Sequence, residues 1–107
     1  MQRVLFVCSR NRRRSPTAER MFADHPGIET ASAGLAPDAE EPLTSDHLEG
    51  VDLIFVMEQA HRTKLNRAFG RYLRGARIVC LDIPDDYTYM QPELVELLRS
   101  RVTPHLR

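Results

Sequence analysis

The sequence predicts an α/β fold: a four-stranded parallel sheet with helices on both faces, in a single domain over residues 1–107. Three observations carry that expectation. Short apolar runs alternate with longer amphipathic stretches in the order β-α-β-loop-β-α-β-α, the pattern of a parallel sheet with right-handed crossovers. The first run, residues 4–8 (VLFVC), is continuously apolar instead of alternating, as a strand buried on both faces must be. At 107 residues the chain has room for one hydrophobic core and not two.

The elements follow in order. After residues 4–8, the stretch 15–22 (SPTAERMF) starts a helix, with Ser15 at a cap position, Pro16 at the first helical position and Glu19 in the first turns. Pro26-Gly27 ends it, and residues 28–33 form a second, weaker strand closed by Gly34. Residues 35–50 carry Pro37, Pro42, Gly50 and five acids, and predict mainly loop with at most one helical turn. Residues 51–57 are the next clear strand. Residues 58–69 then place Ala60, Leu65 and Phe69 at helical spacing, with Gly70 as a stop. Residues 76–81 predict a fourth strand and 82–89 a loop rich in Asp. Residues 92–102 set Leu94, Val95, Leu97, Leu98 and Val102 on one face of a terminal helix. Parallel sheets bind ligands at the carboxyl ends of their strands. The chemistry is therefore expected in the segments that begin at Cys8, Glu58 and Asp82.

Composition narrows the function classes. An apolar content of 42% beside 28% charged residues excludes a disordered tail or a coiled-coil rod. The apolar runs are too short to span a membrane. Met1 is followed at once by a strand-like segment, which leaves no room for a signal peptide and predicts a cytoplasmic location without a membrane partner. Cys8 and Cys80 lie far apart and have no metal-ligand spacing, so neither a structural disulfide nor a metal site is expected; Cys80 reads as a buried strand residue. His25, His47, His61 and His105 show no ligand spacing either, and His61 reads as a surface helix position near the cleft.

The net charge is zero but the signs are segregated. Residues 1–20 hold six arginines and one acid, whereas residues 24–52 hold eight acids and no Lys or Arg. A basic head on a neutral chain points to a local anion site and argues against a nucleic-acid partner. Arg62, Lys64, Arg67 and Arg71 read as a solvated helix face. Lys64 is the one lysine, so arginine is this chain's default base, and Arg12 and Arg13 taken singly read as solvated.

The segment after the first strand, Cys8-Ser9-Arg10-Asn11-Arg12-Arg13-Arg14-Ser15-Pro16, links a buried strand to a helix N-terminus. Successive backbone N–H groups in such a loop form an anion-binding nest, reinforced by the positive end of the helix. A thiol at its mouth is favoured as the thiolate, the anion these dipoles stabilise. Six residues on, the planar fork of Arg14 can clamp two oxygens of a tetrahedral oxyanion. Ser15 can donate a hydrogen bond to the sulfur. The alternative for Cys8 alone is a buried strand-end cysteine followed by a solvated arginine run; the whole pattern of strand, Cys-x5-Arg-Ser-Pro and helix favours a nucleophile in an oxyanion cradle.

This loop, directly after an N-terminal strand, resembles that of the low-molecular-weight protein tyrosine phosphatases, and the chain is similar to a short bacterial-type member. Ser32-Ala33-Gly34, residues 52–57 (DLIFVM) and Ile83-Pro84-Asp85-Asp86-Tyr87 resemble further segments of that family in the same order. The resemblance implies the family's three-layer fold and a cysteine-dependent phosphate monoester hydrolase without a cofactor. Cys8 would be the nucleophile, forming a phosphocysteine. Arg14 and the loop amides of residues 9 to 14 would bind the phosphoryl oxygens, with Ser9, Arg10, Asn11, Arg12, Arg13 and Ser15 forming the phosphate site, a loop that would also hold inorganic phosphate or sulfate. Asn11 would fix the loop conformation, Ser15 would steady the thiolate and Asp85 would be the general acid. Tyr87 would form an aromatic wall of the substrate cleft, and the substrate would be a phosphotyrosyl protein or a small aryl phosphate.

The departures from the family pattern are Arg10 for a glycine, Arg13 for a second cysteine and Asp86 for a proline. Asp86 and Asp82 therefore compete with Asp85 as the acid, and their alternative role is turn formation. Two other functions fit the scaffold: an arsenate reductase, which needs cysteines to relay a disulfide, and a non-catalytic phosphate- or phosphopeptide-binding module, which needs neither Cys8 nor Asp85.

Overall fold

A computed structural model describes residues 1–106. The strands are β1 (Gln2–Cys8), β2 (Ile28–Gly34), β3 (Leu53–Val56) and β4 (Arg77–Cys80); the helices are α1 (Arg14–Phe22), α2 (Ser45–Leu48), α3 (Gln59–Phe69) and α4 (Pro92–Val102). All strand pairs are parallel, in the order β2-β1-β3-β4. The continuous apolar run forms β1, and pairing on both sides puts it at the centre of the sheet.

Period-two alternation along the central strands divides the core into two layers. Val4, Phe6 and Cys8 of β1 share one face with Leu53, Phe55 and Met57, covered by Ala18 and Phe22 of α1 and Leu94, Leu98 and Val102 of α4. Leu5 and Val7 face the other way with Ile54 and Val56, beneath Leu65 of α3 and Leu48 of α2. Helices on both faces of a parallel sheet are thus present. Phe6 stacks on Phe22 and Phe55 at centroid distances of 6.1 and 5.4 Å. Each fully buried side chain of this size contributes about 1.5–3 kcal/mol, which anchors the strand whose last residue is Cys8.

Four local expectations are corrected. Ser15 does not cap α1: the helix starts at Arg14, Arg13 takes the cap position without a side-chain bond, and the Ser15 hydroxyl turns to the sulfur of Cys8. Ala60 is exposed, and the inner face of α3 is made by His61 and Leu65, four residues apart. His61 is consequently not a surface residue but only 4% exposed. Cys80 is half-buried, because β4 is an edge strand. The segment 35–50 is loop apart from the single turn of α2, as expected. Among the described residues no helix is long and apolar enough to cross a membrane.

Candidate active site

The loop between β1 and α1 owes its shape to Asn11, whose φ of 56° lies in the left-handed region that asparagine tolerates better than most residues. That turn brings the Asn11 backbone N–H back to the sulfur of Cys8, 3.2 Å away. The Asn11 side-chain amide donates to the hydroxyls of Ser15 and Ser32, each at 2.9 Å. The Ser32 hydroxyl in turn donates a hydrogen bond to Glu19 Oε1 at 2.5 Å. The Ser15 oxygen, already an acceptor, has its hydrogen left for Cys8 Sγ at 2.9 Å. The sulfur therefore lies within reach of two donors.

The other wall of the loop explains Ser32-Ala33-Gly34. A Cβ on Gly34 would meet the Ser9 carbonyl oxygen at 2.5 Å and Ala39 Cβ at 2.6 Å. Only glycine lets the end of β2 run this close. The chain beyond then braces the loop by backbone bonds: Leu35 N–H to Cys8 O, Ala36 N–H to Ser9 O and Glu40 N–H to Arg10 O, at 2.8–3.0 Å.

Arg14 is 3% exposed. Its Nη1 donates to Glu58 Oε2 and to the Ile83 carbonyl, both at 2.6 Å, which fixes the guanidinium from the ends of β3 and β4. This anchor uses one nitrogen and leaves the Nε–Nη2 edge for other acceptors. Asp85 Oδ1 lies 3.7 Å from Nε. Cys8, Ser9, Arg10, Arg12, Arg13, Arg14 and Asp85 line one cavity of about 420 Å³ at the carboxyl edge of the sheet. A larger cavity, about 630 Å³, opens near Met1, Gln2, Gly27, Asp52, Arg77 and His105 at the amino ends of the strands, and no cysteine lines it.

The expected residues are not all together. Asp85 borders the cavity, whereas Asp86 and Asp82 are exposed and do not line it, and Asp82 accepts a hydrogen bond from the Cys80 thiol. Tyr87, expected as an aromatic wall, does not line this cavity; it is partly buried against the core and lines a separate open depression with Pro92, Glu93, Glu96 and Leu97 of α4. Burial pushes the Cys80 thiol above its ordinary value. Val56 pairs with both Val7 and Cys80, so about 9.6 Å, two strand spacings, separates β4 from β1; a disulfide spans Cα atoms only about 4.4–6.8 Å apart. Among the described residues no three His, Cys, Asp or Glu side chains gather as a metal cage.

Two residues of the site escape the sequence reading: Glu58, the anchor of Arg14, and His61. The Glu58 backbone N–H donates to His61 Nδ1 at 3.1 Å. Nδ1 is thus the acceptor, and Nε2 carries the proton it donates to Ser9 Oγ at 2.9 Å. Burial, then the charge of Arg14, hold the imidazole below its usual 6.5; Glu58 and Asp85 oppose the shift and Lys64 adds to it. The neutral ring ties the loop between β1 and α1 to α3. A depressed histidine pKa means the unfolded chain protonates first, so this contribution is complete above 6.5 and is lost as pH falls from there through the folded-state value. Denaturant titrations between about pH 5 and about pH 7 should show a smaller acid-side loss of stability for His61→Ala than for the parent; equal slopes would refute the coupling.

Comparison with known proteins agrees with this geometry. No protein-family model matches the chain. It is 31% identical to the protein-arginine-phosphatase of Bacillus subtilis, over 91% of this chain and 92% of that protein. The structure of Vibrio vulnificus Wzb in complex with benzylphosphonate is 26% identical and superimposes with a TM-score of 0.78, covering 97% of this chain and 96% of that one. The low-molecular-weight protein tyrosine phosphatase of Streptococcus pyogenes has the same fold, with a TM-score of 0.80 at 19% identity over 99% of this chain and 91% of that one.

Proposed function

The chain belongs to the low-molecular-weight protein tyrosine phosphatase family, and on that premise we propose that it hydrolyses phosphorylated protein side chains at Cys8, with Arg14 and Asp85 as its partners. The observation that carries the assignment is the sulfur of Cys8, bonded to Ser15 and to the Asn11 N–H in the cavity that Arg14 and Asp85 border. In the first step the thiolate attacks phosphorus, an S–P bond forms and the P–O bond to the leaving group breaks. The leaving oxygen takes the proton of Asp85. In the second step Asp85 accepts a proton from water, whose oxygen displaces Cys8 and releases inorganic phosphate.

Arg14, offering the Nε–Nη2 edge, and the amides of Ser9, Arg10, Arg12, Arg13 and Arg14 hold the equatorial oxygens through both steps, while the Asn11 N–H stays on the sulfur. Ser15 steadies the thiolate when it leaves phosphorus. A cytoplasmic setting suits this chemistry, since the cycle needs the Cys8 sulfur kept reduced.

Phosphotyrosine or a small aryl phosphate is the substrate this reading favours, because an aryl oxide leaves with modest help from the acid. Phosphoarginine is the second reading, carried by the Bacillus subtilis relative. Turnover of phosphotyrosyl, phosphoseryl and phosphoarginyl peptides and of arsenate, without added metal, separates them. The acid has its own test. Asp85→Asn should slow esters with poor leaving groups by about 10²–10⁴-fold and activated aryl phosphates far less, while Asp86→Asn and Asp82→Asn should do neither. The same dependence found in Asp86→Asn and absent in Asp85→Asn would move the acid one residue along.

A further inference from the structure

We propose that the rim of this cavity selects phosphorylated protein segments that carry acidic residues beside the phosphorylated side chain, and that Arg10, Arg12 and Arg13 determine that specificity. The inference rests on the phosphatase reading above and names the substrate class of the same site.

The loop sorts its arginines by position. The turn at Asn11 buries Asn11 and Arg14 but leaves Arg10, Arg12 and Arg13 exposed on the cavity wall. Phosphate recognition by the loop itself uses backbone N–H groups and Arg14, so three further guanidinium groups exceed what one phosphoryl group engages. Asp85 is the single acid on that lining. A wall on which guanidinium groups outnumber carboxylates raises the encounter rate of anionic ligands, in a salt-dependent way.

The chain itself shows what the rim binds. The segment after β2 lies against the loop through the Ala36-to-Ser9 and Glu40-to-Arg10 backbone bonds. It presents two carboxylates two residues apart: Asp38, 3.7 Å from Arg10, and Glu40, 3.2 Å from Arg12. Arg13 makes no ion pair among the described residues. All four paired side chains are at least half exposed. Exposed pairs of this kind are weak and exchange readily, each changing an equilibrium by no more than about fivefold. Asp38 and Glu40 act as internal stand-ins that an acidic substrate segment displaces, with Arg13 free to take a further carboxylate. A segment with Lys or Arg beside the phosphorylated residue meets like charge instead.

The test is a set of phosphotyrosyl peptides matched except for acidic, neutral or basic flanks, with an aryl phosphate as reference. In the parent protein kcat/KM should fall from acidic to neutral to basic flanks, by about 10-fold or more from end to end, and added salt should compress the range. Arg12→Gln and Arg13→Gln should each lower the acidic-to-neutral ratio by about two- to fivefold. Asp38→Asn with Glu40→Gln should raise it, because the competing carboxylates are gone. Equal kcat/KM across the flanks, with the aryl phosphate still turned over through Cys8, would overturn the rim proposal and leave the phosphatase reading standing. A ratio that ignores the arginine substitutions would also overturn it. Absence of Cys8-dependent turnover of every phosphate ester would overturn both.

Discussion

Replacing Cys8 by serine should abolish turnover, by at least about 10⁴-fold, while phosphate or vanadate still binds. The two effects separate because the cradle and the nucleophile are different atoms. Serine is close in size to cysteine, and its oxygen keeps the neighbours of the sulfur, the Ser15 hydroxyl and the Asn11 N–H. The brace from residues 35–40, the Asn11 bonds to Ser15 and Ser32 and the anchor of Arg14 are untouched. The hydroxyl does not ionise at neutral pH and is a far poorer leaving group than a thiolate, so the two-step cycle does not turn over. Single-turnover kinetics with aryl phosphate and vanadate titration by calorimetry or fluorescence give the two readouts. Wild-type turnover in the variant would remove Cys8 from the mechanism. Loss of vanadate affinity alongside turnover would show that the sulfur holds the loop in shape.

The residues of this cradle were unequally legible in the sequence, for physical reasons. Cys8, Arg14 and Ser15 lie in one short loop whose strand and helix announce themselves, by the continuous run of β1 and by Pro16 near the start of α1. α4 was readable to the residue, since Pro92 opens it and an apolar stripe runs to Val102. The partners supplied by other elements were not readable. Glu58 and His61 reach Arg14 and Ser9 across 44 and 52 residues of sequence. Polar residues opening a helix look like solvated surface. The one local hint was that His61 shares the inner face of α3 with Leu65. Ser15 illustrates the opposite failure: its local sequence describes a helix cap, and the tertiary structure gives its hydroxyl to the sulfur. The segregated charges point to an anion site. The structure adds that the acidic stretch folds back on the basic head, pairing Arg3 with Glu29, Arg10 with Asp38 and Arg12 with Glu40. A one-dimensional charge count does not show that return.

Arg14→Lys should lower kcat by about 10²–10³-fold, equivalent to about 2.7–4 kcal/mol of transition-state stabilisation, whereas Arg12→Lys and Arg13→Lys should change it by a few-fold at most. Lysine keeps the charge, so a purely electrostatic role would survive the exchange. What it loses is the rigid fork. In the parent protein Nη1 is committed to Glu58 Oε2 and the Ile83 carbonyl, and the Nε–Nη2 edge is thereby aimed. An ammonium offers one nitrogen, which cannot hold Glu58 and Ile83 and also make two parallel bonds to phosphoryl oxygens. Anchored, it leaves the phosphoryl group; engaged on phosphate, it leaves the Glu58 carboxylate and the buried carbonyl poorly partnered. Arg12 and Arg13 are solvated at the rim and have no such divided duty. The same reasoning makes Glu58 a positioning residue for Arg14: Glu58→Gln weakens one side of the anchor, and should lower kcat by less than Arg14→Lys while leaving the leaving-group dependence set by Asp85 intact. Equal losses at Arg12, Arg13 and Arg14 would overturn the clamp and replace it with a diffuse positive patch, in which the 2.6 Å contacts of Nη1 have no catalytic consequence.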